Sequence, residues 1–148
     1  MQTTGSRILC EGGVYMSNKK LGNDFETEFC ELLFNKGFWC HNMAQNSAGQ
    51  PADVIAVRNG KSFLIDCKVC VNDTFPFSRI ESNQHTAMTL WKQSGNDYGW
   101  FALRLSNKDI YMIDHGLMIA LSLNQSSMGA DLITHYGLPL GRWLEKCK

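Results

Sequence analysis

Residues 51–70 constrain the fold of this chain more than any other stretch. Two apolar runs, ADVIAV and SFLIDCK, are separated by Arg58-Asn59-Gly60-Lys61. An Asn-Gly pair between β-branched runs is the strongest local signal for a β-hairpin, because both central residues of a type I′ turn need positive φ. The sequence therefore predicts two adjacent antiparallel strands that meet at Asn59-Gly60.

The alternation of side chains along the second strand places a carboxylate beside an ammonium. Asp66 and Lys68 emerge on one face, while Ile65 and Cys67 face the other and can be buried. Asp53, at the start of the partner strand, is the natural third member. Two convergent carboxylates can hold a hard divalent cation such as Mg²⁺ or Mn²⁺. A lysine beside that cation could orient or deprotonate a water and stabilise negative charge on a phosphate.

Size and composition limit the class of protein. A chain of 148 residues with 44% hydrophobic content is expected to form one globular domain with a substantial core. It has no run of 18 apolar residues and no signal-peptide pattern, so we expect a cytoplasmic protein without a membrane partner. The net charge of zero disfavours nucleic-acid binding but does not exclude it, because charge can be segregated on one face and a metal adds its own.

The six cysteines are expected to be reduced thiols, since no secretion signal accompanies them. Cys67 and Cys70 form a CxxC pair, and a zinc site would need a second pair of ligands at comparable spacing. Cys40-His41 is the only candidate for that second pair of ligands in the sequence. The sequence therefore favours buried cysteines on a strand over a zinc site.

The N-terminal stretch, residues 1–15, is polar and has no periodicity, so it is predicted to be a flexible tail before a single domain at residues 16–148. Lys19 and Lys20 stand just before the first predicted helix. They could contact a phosphate backbone, or they could simply be solvated lysines.

The first helix is predicted from Asn23, with Asn23 or Asp24 as the N-cap and Gly37 as the residue that ends it. Glu26 lies beside the apolar stripe of this helix and could lean towards the sheet. Its alternative role is to complement the helix macrodipole. The stripe itself consists of Phe25, Phe29, Leu32 and Leu33.

The rest of the chain alternates predicted strands and helices. A strand, a polar loop over residues 42–50, the hairpin, a second helix with Gln84 in its first turns, another hairpin and mixed elements follow in turn. This order predicts an α/β fold with a central mixed β-sheet flanked by helices. The predicted elements are a strand from Phe38 to His41, a helix from Glu81 to Ser94 with the stripe Ala87, Leu90 and Trp91, strands at Tyr98 to Ser106 and Ile110 to Asp114, a short helix from His115 to Leu123, and a last strand or turn within Leu132 to Cys147.

Three acids and a lysine carry a family resemblance. Glu26 in GNDFE, Asp53 in PADVIAV, and Asp66-x-Lys68 in LIDCK resemble the PD-(D/E)xK nuclease signature, with spacings similar to those of Holliday junction resolvases. GNDFE also resembles the Gly-x-x-Phe-Glu opening of the RecU type, known in phages as penicillin-binding protein-related factor A. FPFSRIESNQHTAM is similar to its Phe-Pro-Leu…His-Gln segment, with Gln84 at the glutamine, and YGWFALRLSNKDIYMI matches the hairpin that follows.

The resemblance covers about residues 16–144 and implies a restriction-endonuclease-like core. It implies a nuclease that hydrolyses phosphodiester bonds of branched DNA, in particular Holliday junctions, during recombination and repair. Glu26, Asp53, Asp66 and the Cys67 carbonyl would ligate one or two Mg²⁺ ions, with Mn²⁺ as a substitute. Lys68 would position or activate the attacking water.

Two further residues are candidates for the site: Gln84 from the same resemblance, and Arg79 from its position in the chain. Gln84 would assist by hydrogen bonding near the water or the scissile phosphate. Arg79, just before the second helix, could hold a phosphate bidentately. The alternative for both is an ordinary surface position. Asp53 and Asp66, each taken singly, could instead be ordinary carboxylates at the edge of a strand. Lys68 could instead be only a salt-bridge partner of Asp66.

The sequence departs from the RecU pattern in two places. Asp66 stands where resolvases usually carry Glu. The loop at residues 42–50 is too short for the RecU stalk and resembles the compact archaeal-type resolvases, whose Ser-Gly loop is similar to Ser47-Ala48-Gly49. Ser47 is therefore a candidate DNA contact.

Substrate symmetry suggests how the chain would assemble. A four-way junction has two-fold symmetry and needs paired cuts, so we expect a homodimer acting on branched DNA, with no small-molecule substrate. Trp39 or Trp100 could form its interface, although burial in the core is expected for each.

The resemblance implies that the protein acts in a bacterium or in a phage-infected host cell. The alternatives are a nicking or flap-cleaving nuclease of the same superfamily and a catalytically inactive DNA-binding relative.

Overall fold

The computed structural model of the protein describes residues 7–9, 15–43 and 52–148, with side chains from residue 20 onward. In these ranges helices and strands alternate along the chain, as the sequence predicts for an α/β fold. The strands are β1 (Arg7–Leu9), β2 (Tyr15–Ser17), β3 (Trp39–Asn42), β4 (Val54–Arg58), β5 (Lys61–Val69), β6 (Phe75–Pro76), β7 (Trp100–Arg104), β8 (Ile110–Asp114), β9 (Ser127–Met128) and β10 (Leu138–Pro139). The helices are α1 (Asn18–Asn35), α2 (Ser82–Gln93), α3 (His115–Ser122), α4 (Ala130–Tyr136) and α5 (Leu140–Lys146).

The central sheet has six strands in the order β10-β8-β7-β5-β4-β3. The β5–β7 pair is parallel, and the neighbouring pairs are antiparallel. The parallel pair requires a crossover, and α2 supplies it between β5 and β7. The predicted mixed sheet flanked by helices is confirmed.

The β4–β5 hairpin forms as the turn chemistry predicts. Arg58 pairs with Lys61, so Asn59 and Gly60 are the two central residues of the turn. Their φ angles are 52° and 78°, in the left-handed region that a type I′ turn requires. The turn fixes the strand register, which sets the faces on which Asp66 and Cys67 emerge.

Each face of the sheet carries its own apolar cluster. On one face, Ile65 and Cys67 of β5 pack with Phe25 and Phe29 of α1. On the other face, Leu64 packs with the cluster that includes Met88 of α2 and Phe101 of β7. Helix α1 therefore covers one face of β5 and α2 covers the other, which brings side chains from both helices to this strand.

The start of α1 differs from the sequence prediction. The helix begins at Asn18, so Asn23 and Asp24 lie inside it and neither is the N-cap. Lys20 and Asp24 form an i,i+4 ion pair at 3.6 Å, which supports the added turns. Glu26 is consequently too far from the N-terminus of the helix for dipole complementation, which falls off within the first turn. The end of the helix is as predicted, because Gly37 has a φ of 91°.

Helix α2 presents a different face to the core from the predicted one. Met88 and Gln84 are buried, whereas Leu90 is 58% exposed. The predicted stripe was therefore wrong at Leu90. The N-terminus is closed by a capping box between Glu81 and Gln84, and this local motif fixes where the helix begins.

The C-terminal region is more helical than predicted. Where the sequence suggested a last strand or turn, the chain forms α4, the short strand β10 and α5. Each of these helices has seven residues, too few for a clear hydrophobic period. Trp143 of α5 is 1% exposed and stacks against Phe38, so α5 closes one end of the core.

Strand β3 is the last strand of the six-stranded sheet order. Trp39 of this strand is 61% exposed, so its expected burial in the core was wrong. Trp100, in contrast, is only partly exposed and packs edge-on against Trp143 with ring centroids 5.9 Å apart.

Near the N-terminus, β1 pairs with β2 in an antiparallel arrangement. The predicted division into a tail at residues 1–15 and one domain at residues 16–148 stays a prediction, because residues 1–6 and 10–14 lie outside the described ranges. Among the helices that the structure describes, none is long and apolar enough to cross a membrane.

Candidate active site

Asp66 lies at the centre of the site. Its side chain is completely buried, although a carboxylate is among the groups least favoured in a core. Oδ2 of Asp66 lies 3.1 Å from Nζ of Lys68, two residues further along β5. Asp66 and Lys68 therefore share one face of the strand, as the alternation predicts.

Gln84 of α2 completes the contacts of this pair. Its Nε2 donates to Oδ1 of Asp66 at 3.1 Å, and its Oε1 accepts from Nζ of Lys68 at 3.4 Å. The same oxygen accepts from the backbone N–H of Glu81 at 3.2 Å, as part of the capping box. The helix cap thus holds the amide in the orientation that presents its NH₂ group to the carboxylate and its oxygen to the ammonium.

Asp53 precedes β4 and is 5% exposed. Its Oδ2 accepts a 2.8 Å hydrogen bond from the backbone N–H of Cys67, and its own backbone N–H donates to the carbonyl of Ile65. These two bonds anchor Asp53 to β5 on both sides of Asp66.

Glu26 of α1 reaches Asp53 across the layer between helix and sheet. Burial, and after it the negative charge and hydrogen bonding of Asp53, raise the pKa of Glu26 from 4.5 to about 7. Burial and the charge of Asp53 likewise raise the pKa of Asp66, against the opposing effect of Lys68. The predicted acids Glu26, Asp53 and Asp66 are thus neighbours in pairs, with the Lys68 ammonium among them.

The site brings together carboxyl groups that a divalent cation could bind, but it is not closed around one. Within residues 20–43 and 52–148, no group of three or more His, Cys, Asp or Glu side chains is arranged to coordinate a metal ion. Oδ2 of Asp66 is buried and accepts no hydrogen bond from those residues, although the Lys68 ammonium lies close to it. A buried oxygen without a directed donor, beside two further carboxylates, fits a hard cation such as Mg²⁺ by donor type.

The residues predicted to contact DNA differ in their surroundings, and the structure describes only some of them. Arg79 lies on the segment before α2, and its Nη1 donates to the carbonyl of Val69 at 2.7 Å. Lys19 and Lys20 are in the first turn of α1 rather than before it, and Lys20 is exposed. The side chain of Lys19 and the whole of Ser47 lie outside what the structure describes.

Sequence reasoning missed an ion pair that holds α1 to the sheet. Nη1 of Arg104 contacts Oε1 of Glu28 at 2.7 Å, and the guanidinium lies 4.6 Å from the ring centroid of Phe25. The side chain of Arg104 is only 9% exposed. Phe25 and Glu28 flank Glu26 on α1, so this contact fixes the part of the helix that carries the third acid. Its partners are 76 residues apart, and no local pattern joins them.

The CxxC cysteines are both buried, as predicted for cysteines of the core. Cys67 is 5% exposed and Cys70 is 1% exposed. Burial raises the pKa of both thiols, to about 11 for Cys70, so they are poor thiolate ligands at neutral pH.

Known proteins that are similar to this chain identify its fold. No curated protein sequence matches the chain. Among solved structures, Hjc from Archaeoglobus fulgidus, a Holliday junction resolvase from an archaeal hyperthermophile, matches with a TM-score of 0.65 and 15% sequence identity, over 83% of this chain and 99% of that one. At this identity the likeness establishes the fold, which is the predicted restriction-endonuclease-like one.

The family is established by sequence. The sequence model of the archaeal Holliday junction resolvase (Hjc) family matches residues 17–145, nearly the whole chain, whereas the predicted RecU type is a finer assignment that this match does not make. The chain therefore belongs to the archaeal Holliday junction resolvase family, and it is an endonuclease that binds and resolves branched DNA.

Proposed function

We propose that this endonuclease resolves four-way junctions with Mg²⁺ held by the carboxylates of Glu26, Asp53 and Asp66 and by the Cys67 carbonyl, Mn²⁺ serving as a substitute. The observation that carries the proposal is the buried carboxyl group of Asp66, whose Oδ2 has an ion-pair contact with Lys68 but no directed hydrogen-bond donor among the described residues. A buried anion is costly unless it is compensated, and a divalent cation would compensate it.

The bound cation would lower the pKa of a coordinated water and stabilise the charge that develops on the scissile phosphate. Lys68 would hold the attacking water beside the phosphate, because its ammonium offers three donors and is only 11% exposed. Its contacts with Asp66 and Gln84 fix the direction of the amine.

Gln84 is a positioning residue in this proposal. It contacts both Asp66 and Lys68 and is itself fixed by the backbone of Glu81. Its amide therefore holds the carboxylate and the ammonium in one geometry. A hydrogen bond from Gln84 to the water or the phosphate would require one of these contacts to be exchanged.

The DNA backbone would be held by cations on either side of the acids. Arg79 has N–H groups beyond the one that donates to Val69, so it can still contact a phosphate. Lys19 and Lys20 in the first turn of α1 and Ser47 in the loop before β4 are the other proposed contacts. Lys20 is exposed and its ion pair with Asp24 is a surface one, which costs little to exchange for a phosphate.

The experiment compares cleavage of a synthetic four-way junction, a flap and a plain duplex in Mg²⁺, Mn²⁺ and EDTA. Wild type should cut the junction in either metal and not in EDTA, and Asp66→Asn should not cut it at all. Glu31→Gln is the matched control, because Glu31 is an exposed acid on α1 outside the site. Equal cutting of all three substrates would remove junction selectivity, and metal-independent cutting would remove the metal site.

We further propose a homodimer formed through the β3 edge of the sheet. Trp39 of β3 is 61% exposed and Phe34 at the end of α1 is 69% exposed. Because Cys40 packs on the α1 side, Trp39 and its stacked neighbour His41 lie on the opposite side of the strand. A strand with no outer partner among the described strands, and with exposed aromatic side chains nearby, is a surface that a second copy of the chain would cover.

The finer relationship to the RecU type is also a proposal. It is supported by the order of GNDFE, LIDCK and FPFSRIESNQHTAM along the chain, and by the Gln84 contacts that the last of these segments provides. It would make the protein a stalk-less relative of bacterial and phage resolvases that acts in the cytoplasm of such a cell.

A further inference from the structure

Gly22 has no structural reason to be glycine within the described part of the protein. It lies inside α1, an 18-residue helix, where glycine is the least favourable residue apart from proline. Its φ is not among the positive values, so the backbone does not require it. A Cβ built at Gly22 would meet no described atom within 4 Å, so packing against the described residues does not require glycine either.

Gly22 does line a cleft of about 390 Å³ between α1 and β5. Gly22 and Leu21 form the α1 wall of this cleft, and Cys67 and Val69 of β5 form part of the opposite wall. Gly22 lies one turn before Glu26 on the same face of α1, and Cys67 is the chain neighbour of both Asp66 and Lys68, so the cleft lies beside the proposed active site. Its volume is in the range of small-ligand sites, about 300–1,000 Å³.

The chemistry of the lining favours a phosphodiester. Thr74 and Arg79 supply polar groups, and none of the described residues that line the cleft is acidic. The guanidinium of Arg79 is held in place by the carbonyl of Val69 at 2.7 Å and lies 5.6 Å from the ring centroid of Phe75. A fixed cation in a cleft without carboxylates is complementary to a negatively charged backbone.

We propose that this cleft receives the DNA strand next to the scissile phosphate, and that Gly22 is glycine because the sugar-phosphate backbone approaches α1 at that point. Glycine permits such close approach, which any side chain would obstruct. The proposal rests on the proposed active site only for the place where the strand is cut. It concerns a different property, the affinity for the strand.

The test measures binding of a fluorescently labelled four-way junction to the 148-residue chain in EDTA, by anisotropy, with melting temperatures recorded for each variant. Gly22→Leu is expected to weaken binding by about tenfold, which corresponds to a loss of about 1.4 kcal/mol. Gly22→Ala should weaken binding less but in the same direction. Both variants should melt no lower than wild type, since alanine and leucine are better helix formers than glycine.

Gly141→Leu is the matched control. Gly141 is in α5, a Cβ there also meets no described atom within 4 Å, and the residue does not line the cleft. Its variant should bind the junction as wild type does. The proposal is overturned if both Gly22 variants bind as wild type does, or if Gly141→Leu weakens binding equally.

Two further outcomes distinguish DNA contact at Gly22 from a structural role of this glycine and from the active-site proposal. Gly22 variants that bind normally but melt at a lower temperature would mean that glycine accommodates part of the chain rather than DNA, which also overturns it. Because binding is measured without metal, a wild-type protein that binds the junction but does not cut it in Mg²⁺ contradicts the active-site proposal and leaves the cleft result valid.

Discussion

The backbone N–H of Cys67 donates a 2.8 Å hydrogen bond to Oδ2 of Asp53. This bond joins the residue before β4 to the residue that separates Asp66 from Lys68 on β5. Asp53 therefore has two separable properties: it satisfies a buried backbone donor, and it contributes a negative charge to the site.

Substitutions at Asp53 should separate these properties. Asp53→Asn keeps an oxygen that can accept from Cys67 and removes the charge, so junction cleavage should fall by about 100-fold with little change in stability. Asp53→Ala should lose cleavage and also about 1–3 kcal/mol of stability, because the buried N–H of Cys67 is left without an acceptor. Urea denaturation and single-turnover cleavage measure the two effects. Equal stability of the two variants would contradict the structural role of the bond.

Substitution of Gln84 should affect the rate more than the affinity for DNA. Gln84→Ala removes the donor to Asp66 and the acceptor for Lys68, so we expect cleavage at saturating enzyme to fall by about tenfold while junction binding in EDTA is unchanged. Gln93→Ala, at an exposed position on the same helix, is the control. A Gln84→Ala variant that loses binding but cuts at the normal rate would place Gln84 in DNA contact instead.

The parts of the site that the sequence predicts are those that depend on local rules. The Asn59-Gly60 turn sets the register of β4 and β5, and strand alternation then places Asp66 and Lys68 on one face. Asp53 follows because it starts the partner strand. Glu26 was predicted as a site residue from its position beside the helical stripe and from the family resemblance, because no local rule links α1 to the hairpin.

What the sequence did not predict depends on tertiary contacts. The early start of α1 includes Gly22, Asn23 and Asp24, which are poor helix formers, so local propensity does not predict these turns. The Arg104–Glu28 ion pair joins residues from distant parts of the chain. Both features determine where Glu26 lies relative to Asp53. Local sequence patterns therefore could not predict the position of Glu26 in the site.

The metal-free protein should lose stability as the pH rises. The pKa of Glu26 is raised from 4.5 to about 7 in the folded state, mainly by burial, so the folded protein keeps a proton that the unfolded chain releases. That stabilisation is fully present below about pH 4.5 and is lost as the pH rises through about 7. The raised pKa of Asp66 acts in the same direction. Melting temperatures in EDTA should therefore fall between about pH 5 and pH 8.

Added Mg²⁺ should reverse this trend, because cation and proton compete for the same carboxylates. The increase in melting temperature that Mg²⁺ produces should be larger at about pH 8 than at about pH 6. Glu26→Gln should flatten the pH dependence in EDTA and reduce the effect of Mg²⁺, whereas Glu31→Gln should change neither. If the effect of Mg²⁺ is the same at both pH values, the carboxylates are not its ligands.

The proposed dimer depends on the position of Trp39 on the edge strand β3. Trp39→Glu places a charge where the partner strand would pack, so it should shift the protein from dimer to monomer, as measured by analytical ultracentrifugation. Leu123→Glu is the control, because Leu123 is even more exposed, at 78%, but lies at the end of α3, away from β3. Since a junction is resolved by two symmetric cuts, the Trp39 monomer should nick the junction and fail to make the paired cuts. A Trp39→Glu protein that remains dimeric would exclude the β3 edge as the interface, and a dimer lost in Leu123→Glu would place the interface at the other side of the molecule.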